Sequence, residues 1–559
     1  MFRTSLALCM ALLIPTTLSA AEAVLEIEAT PLHRIDQRLF GQFLERPFGG
    51  EKGERGPEGV VDAQGNLPPA VIASLKAMAI PVVRFPAGTD VDWTDWTYLI
   101  DNAPGRATPA RVAVPGKNGQ LVTARFGWHE YARVSERLGW ETIAVVNLLD
   151  GLAKRRPLDE AARHAAGMVA YLNAPVGAKL PAGMPDWPAI RVKNGRPAPF
   201  AVRYVQIGNE WYIGHFREAV AKGTGKLTEA ELAAWYLEVL HAYVRAIRAV
   251  DPKIEIIIDV EMGDGLEKLV LPDPELRREV RWTAIHTYAP GPTAKWAERA
   301  KVGVPLQDIT ADELWRCWTA CPGTCDPVTG QNLGFGAERL ALPRSLGYRI
   351  AATEWNWSGW AFNQLPAPAS TRWRYAAGLG AAQFIQGMMR QGDAIGLATQ
   401  SMLLGTGWSF VALKVEPDGQ ILRAPQGQMT SFYGAHHGES LLPAKLTGVE
   451  IAPIPFKVGW ASEKPAVAQI DATATGNGQR VIAHLVNRGT APVPVRIHVP
   501  LAAKSVVIHR LLPVNAEDPK ADHWFDEDAV PGTVAADGWC QIELPGAAVL
   551  AVEFLPGAP

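Results

Sequence analysis

The sequence predicts a (β/α)₈ barrel followed by an all-β sandwich, and three observations lead there. Between about residues 38 and 425, short apolar runs alternate with helical patterns, as in βα units around a parallel sheet. After about residue 425 the runs stay short, Gly, Pro and Asn separate them, and helix-length periodicity is lost. The chain has 559 residues, too many for one ordinary core, so two or more domains are expected.

Eight strand candidates follow in order: Leu39–Leu44, Val82–Phe85, Thr142–Asn147, Tyr204–Ile207, Ile254–Val260, Trp282–Tyr288, Arg349–Glu354 and Ala394–Thr399. Helical patterns lie between most of them, at Pro69–Met78, Trp128–Leu138, Leu158–Tyr171, Glu229–Val250 and Trp373–Arg390. Eight such units in this span fit a (β/α)₈ barrel with insertions. Downstream, Val481–Val486, Val493–Val499, Ser505–Leu511 and Val549–Phe554 read as sandwich strands, and Ala23–Ala29 as an N-terminal strand joining them. The expected division is residues 1–21 a signal peptide, 22–37 the joining strand, 38–425 the barrel and 426–559 the sandwich. The signal rests on Arg3, the apolar run Leu6 to Ile14 and the small residues up to Ala21, and it predicts an exported protein, periplasmic or secreted.

Composition excludes several classes. With 48% hydrophobic and 20% charged residues the chain reads as soluble and globular, and no segment beyond the leader is long and apolar enough for a membrane span. A net charge of −3, with Lys and Arg scattered, lacks the basic stripe of a nucleic-acid binder. The 19 Trp are read first as core, with sugar platforms as the competing use of any one indole. Cys317, Cys321, Cys325 and Cys540 remain after the leader, and export favours at least one disulfide among them over a metal site. No HExxH, paired-His spacing, Walker loop or GxGxxG after a strand occurs, so neither metal nor nucleotide cofactor is expected.

Barrel chemistry sits at the C-terminal ends of the strands. The polar residues there are Glu45 on the first, Arg84 on the second, Asn147 and Asp150 on the third, and Asn209 and Glu210 on the fourth. His286 and Tyr288 close the sixth, and Thr353, Glu354, Trp355 and Asn356 close the seventh. Two glutamates ending strands four and seven face each other across the mouth. Glycosidic cleavage needs such a pair: one protonates the leaving oxygen while the other attacks the anomeric carbon or activates water. Asn209, just before one of them, is placed to hydrogen-bond a sugar 2-hydroxyl.

These segments resemble clan A glycoside hydrolases, and within them family 51, the α-L-arabinofuranosidases and some endoglucanases. Tyr204 to Glu210 is similar to that family's acid/base strand, and Ala352 to Asn356 to its nucleophile strand. Gly41 to Glu45 resembles the opening segment whose glutamate binds the furanose hydroxyls. Pro81 to Gly88 resembles the second-strand motif, with Asp92 and Trp96 following at the family's spacing. His286-Thr287-Tyr288 matches the sixth-strand motif. The resemblance implies a retaining enzyme with Glu210 as acid/base and Glu354 as nucleophile. It also implies that Arg84 and Tyr288 support the nucleophile and that Glu45 binds substrate; Asn147, Asn209, His286 and Trp355 are candidate substrate contacts by their places at the strand ends. Departures cluster at the rim: Arg46 where a histidine is common, Ala87 for a glycine, Trp211 to His215 for a small polar turn, and Met402 for a glutamine, with Gln400 two residues away. The expected activity is arabinofuranose release from plant-type polysaccharides or oligosaccharides. The alternatives are another clan A retaining hydrolase (endoglucanase, xylosidase, galactofuranosidase or uronidase) or a non-catalytic glycan-binding protein. A carbohydrate is the expected partner, and the oligomeric state is left open, a homo-oligomer included.

Overall fold

The computed structural model of the chain describes residues 22–45, 56–86, 88–115, 121–260, 265–289, 315, 316, 319, 337–357, 369–406, 411–453, 466–515, 517, 524–535 and 537–556. Eight parallel strands close into a barrel: β1 (Gly41–Phe43), β2 (Val82–Phe85), β3 (Glu141–Val146), β4 (Tyr204–Ile207), β5 (Glu255–Asp259), β6 (Trp282–Ala289), β7 (Arg349–Trp357) and β8 (Ile395–Ser401). Each pairs with the next in sequence, and β8 returns to β1 through Thr399↔Gly41, Gln400↔Gln42 and Ser401↔Phe43. The eight expected strands are all here, in order.

The floor of the barrel is apolar. Val82, Ile143, Tyr204, Ile257, Trp282, Ala284, Ala351 and Leu397, from seven of the eight strands, form one buried cluster. Two residues further along, on the same faces of the strands, stand Arg84, Gln206, Asp259, His286 and Thr353. A polar layer therefore rests on a dry one.

Local chemistry sets the helices that brace this barrel. Glu229–Val250 opens with a capping box: the Thr228 hydroxyl accepts from the Glu231 amide, while the Glu231 carboxylate accepts from the Thr228 amide at 2.8 Å. Trp128–Leu138 stops at Gly139, whose φ of +74° is the left-handed conformation that suits a residue without a Cβ. Helix Glu229–Val250 packs against helix Leu158–Asn173.

Two antiparallel-rich sheets form the second layer system. One has the order Ala444–Thr447, Ala23–Ile27, Val493–His498, Trp539–Leu544; the N-terminal strand lies parallel to Val493–His498 and antiparallel to Ala444–Thr447. The other is seven-stranded and includes Val481–Asn487, Val549–Pro556 and Ala503–Pro513. Their inner faces bury Leu25, Ile27, Val495, Ile497, Leu485, Val552 and Phe554 together. Helix Ala369–Arg390 carries this sandwich: the Arg390 guanidinium pairs with Asp471 at 2.6 Å, and the Tyr375 hydroxyl donates to the Ala547 carbonyl at 2.6 Å.

One element departs from the all-β reading after residue 425. Pro425–Ala435 is a helix that belongs to the barrel side, with the Thr430 hydroxyl donating to Gln400 at 2.8 Å. Its buried side includes the polar Gln426 and Thr430 beside Met429, Phe432 and Tyr433, so the sequence lacks the apolar stripe from which a helix is read.

Cys540 is a free thiol buried inside the sandwich, so it joins no disulfide. Cys317, Cys321 and Cys325 lie outside the described residues. Among the described residues no helix is long and apolar enough to cross a membrane.

Candidate active site

Glu354 reaches the mouth because β7 is irregular. Its pairing with β6 runs Ala284↔Ala351 and then His286↔Glu354, and the register with β8 also shifts between Ala352 and Trp355. Such a bulge turns a side chain that strict alternation would send outward. Thr353 and Glu354 consequently both reach His286: the Thr353 hydroxyl lies 3.0 Å from Nε2, and a Glu354 oxygen 3.7 Å from Nδ1.

Arg84 organises the centre. It is fully buried, and its guanidinium donates to Glu354 at 2.8 Å, to the Gln206 side-chain oxygen at 3.0 Å and to the Asn209 side-chain oxygen at 2.6 Å. One cation thus ties β2, β4 and β7 together across the barrel. The Tyr288 phenol donates to the second Glu354 oxygen at 2.7 Å, and the Ser401 hydroxyl lies 2.8 Å from the phenol oxygen.

Glu210 follows Gly208 and Asn209 on a turn where its own φ is +47°, a region a residue with a Cβ enters at a cost of about 1–2 kcal/mol. His286 Nδ1 meets its carboxylate at 2.9 Å. An oxygen of Glu210, an oxygen of Glu354 and a ring nitrogen of His286 all lie within 4.8 Å of one another. Such a triad could hold a metal ion by geometry, but the Arg84 guanidinium already stands on Glu354, and a dication there would face fixed positive charge.

The two carboxyls meet opposite fields. Burial and the neighbouring negative charge of Glu354 push the Glu210 carboxyl up, and the His286 contact only partly opposes them. Burial would also raise Glu354, but the charges of His286 and Arg84 and the hydrogen bonds from Tyr288 and Arg84 outweigh it and hold that carboxyl below its ordinary range. Of the two carboxyls, Glu210 is thus the one whose surroundings favour the protonated form.

Asn209, Arg84, His286 and Tyr288 converge with the two glutamates. Asn209 is fully buried, and its side-chain nitrogen has no hydrogen-bond partner among the described residues. Glu45 lies at the rim against Gly88, where an added Cβ would stand 1.7 Å from a Glu45 oxygen. Asn147 is turned to its own chain, its oxygen accepting from the Asp150 amide at 2.9 Å, and Asp150 is held by Arg155 and Arg156. Trp355 is the site residue the structure does not bring to the mouth. Its ring is fully buried with Phe384 of the helical layer at 5.1 Å, because the bulge that turns Glu354 inward leaves its neighbour facing out. Gln400 faces out as well, bonded to Gln42, Thr430 and the Gln426 carbonyl. Met402 joins Phe43, Val91, Val145 and Val411 in a small apolar cluster.

Two buried aspartates carry more of the site than their sequence positions announce. Asp92 accepts from the Leu148, Leu149 and Asn209 amides at 2.6, 3.0 and 2.9 Å, and burial pushes its carboxyl up to about 6. Asp259 accepts from the Glu210 amide at 2.7 Å. Its signal in the sequence was its place at the C-terminal end of the fifth strand, straight after three isoleucines.

Residues 74–300 match the family model described as the α-L-arabinofuranosidase 1 domain. An intracellular exo-α-(1→5)-L-arabinofuranosidase of Streptomyces lividans is 26% identical over 244 residues, 42% of this chain and 31% of that protein. The intracellular exo-α-(1→5)-L-arabinofuranosidase 1 of Bacillus subtilis strain 168 is 24% identical over 273 residues, 45% of this chain and 46% of that protein. The matches thus span less than half the length of these relatives. The solved structure of a family 51 α-L-arabinofuranosidase from Bifidobacterium longum superposes with a TM-score of 0.68 at 18% identity, covering 96% of this chain and all of that one. The chain is therefore family-51-like in fold and in its matched segment. One expectation is corrected: export was read from residues 1–21, which lie outside the described residues, whereas both bacterial relatives are intracellular proteins. The export reading is withdrawn, and with it the oxidising compartment that favoured a disulfide.

Proposed function

We propose that the chain is a retaining α-L-arabinofuranosidase that releases arabinofuranose from plant-type polysaccharides or oligosaccharides by double displacement. One observation carries this reading: carboxyl oxygens of Glu210 and Glu354 lie within 4.8 Å of each other, in environments that push the first carboxyl up and hold the second down. Retaining enzymes hold their carboxyls about 5–5.5 Å apart, inverting ones about 6.5–9.5 Å to seat a water between them. The matched arabinofuranosidase segment, residues 74–300, supports the choice of sugar.

In the first step a Glu354 oxygen attacks the anomeric carbon as the Glu210 proton passes to the departing glycosidic oxygen, leaving a glycosyl ester on Glu354. Arg84 and Tyr288 hold the attacking carboxylate as an anion and fix its plane. With Glu354 esterified its negative charge is gone, so Glu210 loses the neighbour that kept it protonated and takes a proton from water. That water then cleaves the ester from the face the aglycone left, and configuration is retained. The Asn209 side-chain N–H, without a partner among the described residues, would meet the sugar 2-hydroxyl, a contact that strengthens as charge develops.

Hydrolysis of 4-nitrophenyl α-L-arabinofuranoside, followed by proton NMR of the first-formed sugar, tests both parts. Release with retained anomeric configuration is expected. An inverted product would overturn double displacement. Hydrolysis confined to xylosides, galactofuranosides, uronides or glucans in a parallel panel would overturn the sugar assignment while leaving the mechanism intact.

A further inference from the structure

We infer that Asp259 is the positioning residue of the acid/base glutamate: its buried carboxylate hooks the Glu210 amide and holds the turn that aims the Glu210 carboxyl at the leaving oxygen. The inference rests on the reading of Glu210 as acid/base.

Asp259 closes β5, directly beside β4 in the barrel, and none of its surface is exposed. Its Oδ2 accepts from the Glu210 amide at 2.7 Å, and its main-chain carbonyl accepts from the Trp211 indole at 2.9 Å and the Tyr236 hydroxyl at 2.7 Å. Glu210 and Trp211 are thus both tied to this one residue. Glu210 needs such a tie, because its φ of +47° persists only where the surroundings over-determine it. Without the hook the turn is free to relax to a negative φ, and the carboxyl at its tip would swing.

Packing alone would not call for a polar acceptor here. Residues 256–258 of the same strand are isoleucines, and apolar side chains fill such positions without a desolvation cost. Oδ1 of Asp259 is buried with no hydrogen-bond partner among the described residues, a cost accepted at functional sites more often than in cores. The charged groups facing the carboxylate are His286 on β6, Arg84 on β2, Glu354 on β7 and Glu210 on the β4 turn. Asp259 thus acts on Glu210 from behind, through the geometry of the turn.

The test uses the full chain as Asp259→Ala and Asp259→Asn, with Glu210→Ala as reference, on two α-L-arabinofuranosides. An arabino-oligosaccharide needs its leaving oxygen protonated; the 2,4-dinitrophenyl glycoside does not. Misplacing a catalytic group by about 1 Å costs up to about 10²-fold. Asp259→Ala should therefore lose about 10- to 100-fold in kcat/KM on the oligosaccharide, but less than about threefold in the first step on the dinitrophenyl substrate. Asp259→Asn should stay within about threefold of the parent on both, because its side-chain oxygen still accepts from the Glu210 amide. Equal losses on the two substrates, or an Asn variant as damaged as the Ala variant, would overturn the inference. Should Asp259→Ala fail to fold, Asp259→Glu replaces it: a carboxylate displaced by one methylene should give the same selective loss, and a uniform loss or none would overturn the inference. If Glu210→Ala itself shows no leaving-group dependence, the acid/base reading falls. If it does and Asp259→Ala does not, only the present inference falls.

Discussion

Replacing Tyr288 by Phe removes one atom from the site and leaves the ring that fills the same space. The lost atom is the phenol that donates to Glu354 at 2.7 Å, and the Ser401 hydroxyl beside it keeps its place. A hydrogen bond to a buried charged group contributes about 1.5–3 kcal/mol, and one pKa unit corresponds to about 1.36 kcal/mol. Losing it should raise the Glu354 carboxyl, since the bond favours the ionised form. The sign follows from the mechanism: Glu354 must be ionised to attack, so the acidic limb of the kcat/KM profile moves to higher pH. Arg84 and His286 remain in place, so the shift stops short of the ordinary behaviour of a buried carboxyl. Because Glu210 and Glu354 titrate as a pair, the limb reports the lower apparent pKa of that pair. The assay is kcat/KM of the parent and the variant on 4-nitrophenyl α-L-arabinofuranoside from pH 3.5 to 8, with melting temperatures measured alongside. An acidic limb that stays where it was, in a variant of unchanged melting temperature, would refute the view that the phenol helps hold the nucleophile ionised.

The remaining predictions concern the other buried groups. Glu354→Ala should nearly abolish turnover of every substrate, whereas Glu210→Ala should lose about 10²–10⁴-fold on oligosaccharides and recover with azide, giving a glycosyl azide of retained configuration. Azide rescue of Glu354→Ala with a retained product would exchange the two assignments. Arg84→Met leaves a buried carboxylate without its cation, and breaking such a pair costs about 3–5 kcal/mol, so both the melting temperature and kcat/KM should fall. An unchanged melting temperature would refute it. Trp355→Phe should lower the melting temperature and leave KM unchanged, because the indole packs on Phe384 rather than on the sugar; a raised KM at parental stability would place it in the site after all. Burial lowers His484 to about 3 and His436 to about 4, so both are more readily protonated in the unfolded chain. Their stabilisation is present above about pH 6.5 and lost as pH falls toward those values, by about 1.4 kcal/mol per unit for the fully buried His484 and by less for the partly exposed His436, whose charge solvent screens. Melting curves between pH 7 and 4 should show this decline, which a flat profile would contradict.

The sequence by itself determined which segments are strands and which residues end them. Period-2 apolar runs and 3.6-residue stripes are local properties, so β2 and β4 and the helices Trp128–Leu138 and Glu229–Val250 were legible to the residue. So were the glutamates at the fourth and seventh strand ends, since a strand-end position needs only counting along the chain. Only the tertiary structure decided which of these polar groups face one another. The shift between Ala284 and His286 turns Glu354 inward and sends Trp355 into the helical layer, and a bulge leaves no mark in a two-residue alternation. Gln400 is claimed by Gln426 and Thr430 from a helix that the sequence did not announce. Arg84 meets Glu354 across 270 residues, Asp92 meets Asn209 across 117, and Asp259 meets the Glu210 amide across 49. Each of these is a buried charge or polar group satisfied by a partner that barrel closure alone delivers, and no pattern within one strand can specify it.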